Sequence, residues 1–157
     1  MKVYFAADHA GFELKNELLN IVRGEFNFDV QDCGAAHFDE ADDYPLIIAK
    51  AMDALELDLA HGAKSCAIIL GGSGTGEAIV ANRFAHIRAA VYYGGTYEIV
   101  KLSREHNDAN VLSLGARFIS LDEAKDAVRL WLSLPFSGDE RHVRRLKQID
   151  EQLGGQK

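Results

Sequence analysis

A glycine-rich segment near the middle of the chain has the residue types of an anion-binding loop. It follows a short apolar run at residues 67–70 and contains Gly71, Gly72, Gly74 and Gly76. Glycine permits the tight turn that leaves backbone amides free to face a ligand. Apolar residues return at helical spacing after Glu77, so the loop should open a helix whose N-terminal end favours negative charge. The segment therefore predicts a site for a small anion, although a glycine-rich connection without a ligand would give the same pattern.

The surroundings of these glycines argue against several familiar sites. No Lys-Ser or Lys-Thr pair follows them, as it would in a Walker A phosphate loop. The next predicted strand ends in Tyr92-Tyr93 rather than in the acidic residue that holds a dinucleotide ribose. Ser73 lies inside the loop, where it is better placed to donate a hydrogen bond than to act as a nucleophile. No two histidines have metal-ligand spacing, so we expect no metal site.

Ionisable and hydroxyl side chains in the predicted loops could transfer protons on a phosphorylated or carboxylated metabolite. These side chains belong to Asp8, His9, Asp43, Tyr44, Ser73, Glu77, His106 and Arg117. Each has a plainer alternative role. Asp43 could cap the helix that follows it, Glu77 could complement a helix dipole, and His106 could be a capping or core histidine.

Alternating strands and helices predict how these side chains are positioned. Strands are expected at residues 3–7, 28–33, 67–70, 88–93 and 110–114, with a helix after each. This alternation predicts a doubly wound, Rossmann-like α/β domain with a five-stranded parallel sheet in the order 2-1-3-4-5 and helices on both faces. Ligands bind such sheets at the carboxyl ends of strands 1 and 3, where Asp8, His9 and the glycine loop would meet. We expect His106, Asn107 and Arg117, from later loops, on the same rim.

Length and composition favour one domain spanning residues 1–157. The net charge of −7 argues against binding to nucleic acid or to an acidic membrane surface. Two cysteines, Cys33 and Cys66, form no disulfide framework and favour a reducing compartment. The sequence shows no signal peptide and no apolar run of membrane-spanning length, so we expect a cytoplasmic protein.

The C-terminal segment combines an apolar stripe with basic residues. The stripe consists of Val143, Leu146, Ile149 and Leu153 at helical spacing, and it needs cover that a second subunit could provide. Arg141 and Arg145 lie four residues apart on one helix face, a spacing that suits either a phosphate clamp or a solvated basic surface.

Nearly the whole chain resembles ribose-5-phosphate isomerase type B, a family that also contains the subunits of galactose-6-phosphate isomerase. The matching motifs, in the order of the family, are Asp8-His9-Ala10-Gly11, Asp43-Tyr44-Pro45, the loop from Gly71 to Glu77 with Ala81-Asn82, Arg104-Glu105-His106-Asn107, Gly115-Ala116-Arg117 and Arg141-His142-x-Arg144-Arg145. The resemblance implies a Rossmann-like sheet, no cofactor, a homodimer or dimer of dimers, and active sites that two subunits share.

The resemblance also implies roles for individual residues. His106, with Asp8, would open the furanose ring. A base would move the proton between C2 and C1 while the amides of Gly72, Gly74 and Gly76 and the Ser73 hydroxyl hold the enediolate. The phosphate would be held by His9, Arg117, Arg141 and Arg145, some of them from the neighbouring subunit. Asp43, Tyr44 and Asn107 would complete the substrate contacts.

The identity of the base differs between branches of this family. Many members carry a cysteine base where this chain has Gly71. This chain resembles the branch in which a glutamate after the last glycine replaces it, which is Glu77 here. Cys66 lies five residues earlier and does not correspond to that cysteine.

We therefore expect an isomerase that interconverts D-ribose 5-phosphate and D-ribulose 5-phosphate through an enediolate. An isomerase of six-carbon sugar phosphates, such as galactose or allose 6-phosphate, is the alternative within the enzyme class. A non-catalytic α/β module that binds phosphate or a nucleotide is the alternative outside it.

Overall fold

A computed structural model describes the backbone of residues 1–154 and the side chains of residues 1–152. Five parallel strands form one sheet: β1 (Lys2–Ala7), β2 (Asp29–Asp32), β3 (Cys66–Gly71), β4 (Ala89–Tyr92) and β5 (Val111–Gly115). The α-helices are α1 (Phe12–Gly24), α2 (Tyr44–Ala60), α3 (Thr75–Ala81), α4 (Glu98–Glu105), α5 (Leu121–Ser133) and α6 (Glu140–Gly154), and a 3-10 turn, His9–Gly11, precedes α1. The predicted α/β class and five-stranded parallel sheet are confirmed.

The order of the strands differs from the prediction. The sheet runs β2-β1-β3-β5-β4, so β5 lies between β3 and β4 and the predicted order 2-1-3-4-5 is wrong. Every residue of β5 is buried, whereas Ala89 to Val91 of β4 are only partly buried. A strand that is buried along its whole length needs a neighbouring strand on each side, whereas the partly covered β4 can occupy the edge. The exchange brings the end of β5 directly beside the end of β3, with Gly115 paired to Gly71.

Helices cover both faces of the sheet, because successive strand residues point to opposite sides. On one face, Phe5 and Ile68 pack with the buried residues of α1 and α5, among them Trp131. On the other face, Tyr4 and Ile69 pack with those of α2 and α3. Both faces are therefore apolar, and the ends of the strands are left for polar chemistry. No helix in the described part of the chain is long and apolar enough to cross a membrane.

The terminal helix α6 is attached to its own chain beside the end of α4. The Ser137 N–H donates to the Glu105 carbonyl at 3.1 Å, and Arg104 Nε donates to the Leu134 carbonyl at 3.2 Å. Among the described side chains of α6, His142 alone is buried. These contacts fix where α6 starts.

The apolar stripe of α6 is largely uncovered by the chain itself. Val143 and Ile149 are 46% and 49% exposed. A cleft of about 290 Å³ separates Leu146 and Ile149 from the strand residues Ala89 and Ala90. The predicted fourth member of the stripe, Leu153, lies outside the described side chains. Packing of α6 on a partner subunit stays a prediction, and the exposed stripe supports it.

Candidate active site

The glycine loop connects the end of β3 to α3 and is held in place by β5. Gly74 has a φ of 74°, and a Cβ at this position would lie 2.9 Å from the backbone of Leu114. Ser113 Oγ donates a hydrogen bond to the Gly74 carbonyl at 2.6 Å. Only glycine combines this left-handed conformation with so close an approach at little cost. The loop conformation is therefore set by the neighbouring strand.

Arg117 lies against the same loop. The backbone N–H groups of Ala116 and Arg117 donate to the carbonyls of Gly71 and Gly72 at 2.9 and 3.1 Å. The Arg117 guanidinium lies 3.4 Å from the position that a Cβ on Gly72 would take. A permanent positive charge is thus fixed beside the glycine loop, which the position of β5 next to β3 makes possible.

Asp8 joins the site from the end of β1. Its Oδ1 accepts a hydrogen bond from the Gly11 N–H at 3.1 Å, which caps the 3-10 turn. Gly11 in turn approaches β3 so closely that a Cβ there would lie 2.9 Å from the Leu70 carbonyl carbon. This contact brings the turn that carries Asp8 to the end of β3.

Glu77 is buried at the centre of this group, with 4% of its surface exposed. Its carboxyl group fills the space beside Gly71, so that a Cβ built on Gly71 would overlap it. Burial raises the pKa of the Glu77 carboxyl, a backbone N–H hydrogen bond partly offsets this, and the nearby Asp8 charge raises it further. A carboxylate with increased basicity beside free backbone amides has the properties of a general base.

His9 is paired with Asp42, a residue that the sequence reasoning missed. His9 Nδ1 lies 2.7 Å from Asp42 Oδ1, and the backbone N–H of His9 donates to the same oxygen at 3.2 Å. The hydrogen bond to Asp42 has the largest effect and raises the pKa of His9. Burial lowers this pKa, and so does the charge of Arg117, whereas the charges of Asp8 and Asp42 raise it. The raised pKa shifts His9 towards its protonated form, which is the form that binds anions.

Asp42 differs from the neighbouring Asp43, which the sequence reasoning selected. The Asp42 side chain is 10% exposed, and its Oδ2 has no hydrogen-bond partner in the described part of the chain. Asp43 is exposed and makes no capping hydrogen bond to α2. Because Asp42 and Asp43 are adjacent and of the same type, the sequence does not indicate which of the two side chains turns inward. Donor atoms of Asp8, His9 and Asp42 lie within 4.8 Å of one another, a group with the donor types of a cation site, although His9 Nδ1 is already occupied by Asp42.

Tyr44 and Ser73 complete the carboxyl end of the sheet. The Tyr44 ring lies over Gly76, where a Cβ would come within 2.9 Å of the tyrosine oxygen. Ser73 is exposed, and its Oγ accepts a hydrogen bond from the Thr75 N–H at 3.3 Å. Both hydroxyl groups lie next to the glycine loop. We call the side chains gathered here the carboxyl-edge group: Asp8, His9, Tyr44, Ser73, Glu77 and Arg117.

His106 and Asn107 do not lie on this rim, and the expectation that they would is wrong. They follow α4 and precede β5, and a helix that leads into a parallel strand ends at the amino edge of the sheet. The Asn107 carbonyl accepts a hydrogen bond from Arg88 Nε at 3.1 Å, just before β4 begins. The length of β5, about 15 Å, separates the two edges.

A second polar group forms at the amino edge around His106. The rings of His106 and His142 stack with centroids 4.1 Å apart and planes 16° apart. Arg141 Nε donates to His142 Nε2 at 3.1 Å, and the Arg145 charge is close enough to lower the pKa of His142. We call His106, Asn107, Arg141 and Arg145 the amino-edge group. Within one chain, the predicted site residues thus form two separate groups.

Comparisons with known proteins agree with this architecture. A family model described as Ribose/Galactose Isomerase matches residues 3–149. The chain is 38% identical to ribose-5-phosphate isomerase B of Escherichia coli over 149 residues, which cover 94% of this chain and 93% of the relative. It is 36% identical to ribose-5-phosphate isomerase B of Mycobacterium tuberculosis over 151 residues, covering 96% and 89%.

Solved structures of similar proteins extend the match to three dimensions. Ribose-5-phosphate isomerase B of Clostridium thermocellum superposes with a TM-score of 0.88 at 36% identity, covering 100% of both chains. The enzyme of Mycoplasma genitalium with bound ribulose-5-phosphate superposes with a TM-score of 0.89 at 30% identity, covering 98% of this chain and 96% of that one.

Proposed function

The chain belongs to the ribose/galactose isomerase family, and we propose that it interconverts D-ribose 5-phosphate and D-ribulose 5-phosphate in a single isomerase domain. The buried Glu77 carboxylate beside the glycine loop is the observation that carries this proposal. An aldose–ketose isomerisation needs one base that reaches two adjacent carbons and an anion-stabilising surface next to it. Relatives named ribose-5-phosphate isomerase B, one with ribulose-5-phosphate bound, support the five-carbon substrate.

Glu77 would take the proton from C2 of the open-chain sugar and return it to C1. The enediolate formed between these steps carries its negative charge on oxygen. Backbone amides of the glycine loop and the Ser73 hydroxyl would hold that oxygen, since donors already fixed in position stabilise developing charge without reorganisation. The contacts between β5 and the loop, through Ser113 and Gly74, keep these donors in place.

The substrate phosphate would be bound by positive charge from both groups. At the carboxyl edge, Arg117 supplies a permanent cation and His9 a titratable one. Arg141 and Arg145 supply two further guanidinium groups from the amino edge. Charge-assisted hydrogen bonds from arginine to phosphate are strong and directional.

A complete site would need two subunits. Ring opening by His106 requires that residue next to the sugar, yet each chain holds its own His106 at the opposite edge of the sheet. We propose that His106 of the partner subunit, with its α6, meets the carboxyl-edge group of the first chain. A two-fold dimer repeats this contact twice and covers the apolar stripe of α6. The same argument supports a homodimer or dimer of dimers, and the free, buried Cys66 is consistent with a cytoplasmic enzyme.

Mixing two inactive variants tests the shared site. Glu77→Gln removes the base and His106→Asn removes the ring-opening group, so each variant alone should be inactive on ribose 5-phosphate. When equal amounts are unfolded together and refolded, half of the dimers are hybrids with one intact site, so about a quarter of wild-type activity should return. A mixture that stays inactive while refolded wild type recovers would mean that each chain builds its own site.

The substrate and the base are tested with the unmixed proteins. Wild type should isomerise ribose 5-phosphate with a higher kcat/KM than galactose or allose 6-phosphate. Glu77→Gln should lower kcat by about 10²–10⁴-fold, the usual value of general-base catalysis, and should slow solvent exchange of the C2 proton equally. Exchange at the wild-type rate in this variant would assign the base to another residue.

A further inference from the structure

His142 is a buried polar residue to which the proposed reaction gives no role. It is 3% exposed on a helix whose other described side chains are exposed or partly exposed. Its ring is in contact with His106 on one side and with Arg141 at Nε2. It therefore touches two residues that are proposed to act on different parts of the substrate.

The hydrogen bond from Arg141 defines the protonation state of His142. Arginine Nε can only donate, so the Nε2 atom of His142 must accept. An imidazolium has no acceptor, and His142 is therefore neutral with its proton on Nδ1. Burial lowers the pKa of His142, and the charges of His106, Arg141 and Arg145 lower it further. Asp139, whose Oδ2 lies 3.9 Å from Nε2, opposes this shift.

The same hydrogen bond orients the guanidinium of Arg141. An exposed arginine samples many rotamers, and ordering it costs conformational entropy. Occupying Nε fixes the plane of the guanidinium. In the described part of the chain, no hydrogen bond engages its two Nη atoms, which stay available as a planar fork for phosphate.

The stacked ring orients His106 in the same way. The two imidazoles are nearly parallel, with centroids 4.1 Å apart. His106 directly follows α4 and is partly exposed, and no hydrogen bond engages its ring in the described part of the chain, so this stacking is what limits rotation of the ring.

We propose that His142 is a positioning residue that sets Arg141 for the substrate phosphate through its Nε2 acceptor and sets His106 for ring opening through its ring face. The inference rests on the proposed function, because it assigns Arg141 and His106 to one substrate. It predicts that the two roles can be separated by substitution.

Two substitutions each remove one of the two properties. His142→Phe keeps a flat ring but has no acceptor, and His142→Gln keeps an acceptor at the position of Nε2 but has no ring. We expect His142→Phe to raise KM for ribose 5-phosphate and the inhibition constant of inorganic phosphate by about tenfold, with kcat changed less than about threefold. We expect His142→Gln to lower kcat by about tenfold with little change in phosphate inhibition. If both variants change KM, the phosphate inhibition constant and kcat in the same proportions, the two roles are not separable and the proposal is overturned.

A double variant tests whether the effect passes through Arg141. In an Arg141→Ala background, His142→Phe should not weaken inhibition by inorganic phosphate any further. A second loss of the same size would show that His142 acts independently of Arg141. Equal melting temperatures and equal oligomeric state among the variants serve as the folding control.

The tautomer can be read in the wild-type protein, where no variant needs to fold. Nitrogen NMR of the histidine rings should show His142 protonated at Nδ1 and unprotonated at Nε2 at neutral pH. A proton on Nε2 would overturn the inference even if the enzyme is fully active. Failure of wild type to isomerise ribose 5-phosphate would instead overturn the proposed function, so the two failures are distinct.

Discussion

Replacing Gly71 by alanine should displace Glu77, the proposed base, without removing it. A Cβ built on Gly71 lies 2.5 Å from the farther oxygen of the Glu77 carboxyl, whereas ordinary van der Waals contact begins at 3.4 Å. The carboxylate must therefore move by at least about 0.9 Å. The atoms in the way are the flexible end of a side chain, and Gly71 does not have a left-handed backbone conformation. The fold should tolerate the methyl group while the base loses its position.

The magnitude follows from the size of this displacement. A misplacement of about 1 Å can cost about 10²-fold in rate, so kcat of Gly71→Ala on ribose 5-phosphate should fall by about that factor. KM should change little, because His9 and Arg117, the proposed phosphate-binding residues, are untouched. Gly24→Ala is the matched control, because a Cβ there meets no atom within 4 Å. Its kcat should equal that of wild type.

The assay is a steady-state measurement of both variants with their melting temperatures. A Gly71→Ala enzyme that melts like wild type and keeps kcat within threefold would refute the assignment of Glu77 as the base. A large drop in melting temperature would show instead that the space beside Gly71 is required for folding.

A swap of the two positions extends the same reasoning. The double variant Gly71→Cys with Glu77→Ala removes the carboxylate and places a thiol in the space it occupied. The resemblance implies a cysteine base at this position in other members, so the double variant should recover activity above Glu77→Ala alone. It should also become sensitive to iodoacetamide, because a thiolate is the reactive form.

Three further outcomes follow from individual groups. Asp42→Asn should lower the pKa of His9, so the imidazolium should be lost at a lower pH than in wild type. KM for ribose 5-phosphate should then begin to rise at a lower pH, and at pH 8 it should exceed that of wild type by up to about tenfold. An unchanged dependence of KM on pH would contradict the pairing. The raised pKa of Glu77 means that the folded state holds its proton more tightly than the unfolded state does. Its contribution to stability therefore falls as pH rises from the unfolded pKa of about 4.3 to the higher folded pKa, and it is constant above that pH. Glu77→Gln should therefore raise the melting temperature more at pH 8 than at pH 4.5, and the opposite order would contradict the burial argument. Burial raises the pKa of Cys66 to about 12, so Cys66→Ala should keep kcat within about twofold, and loss of turnover in a folded variant would reassign the base.

The sequence predicted the local elements of the fold better than their order. The strands β1, β3, β4 and β5 were found from runs of mainly apolar residues, because burial within a parallel sheet favours such runs. The edge strand β2 is largely exposed and gave only a weak pattern. The exchange of β4 and β5 was missed, because the helical connection between these two strands allows either of them to lie beside β3. Burial distinguishes them: β5 is covered throughout, and β4 is not. That difference depends on which helices lie over each strand, and a single strand sequence does not encode it.

The site was predictable where a residue follows a strand and less so where it lies in a long loop. Asp8 directly follows β1, Arg117 lies shortly after β5, and Glu77 lies in the first turn of the helix that follows β3. The sheet itself therefore brings these three residues together. Asp42 lies at the end of a loop that starts after β2, and its inward turn depends on the contact with His9. His106 was placed on the wrong edge because its motif was considered without the direction of the helix before it.

The separation of the two groups links catalysis to assembly. Buried Glu77 lowers stability at neutral pH, and the exposed stripe of α6 is an unfavourable surface for a monomer. The cost of burying Glu77 is understandable if this carboxylate is the proposed base. The exposed stripe is understandable if the working unit is a dimer, because the subunit contact would cover it and bring Arg141 and Arg145 to the substrate phosphate. Each subunit would then lack the ring-opening group until it meets its partner. If both groups act on one substrate, a chain that holds them at opposite edges of its sheet can complete the site only with a second subunit.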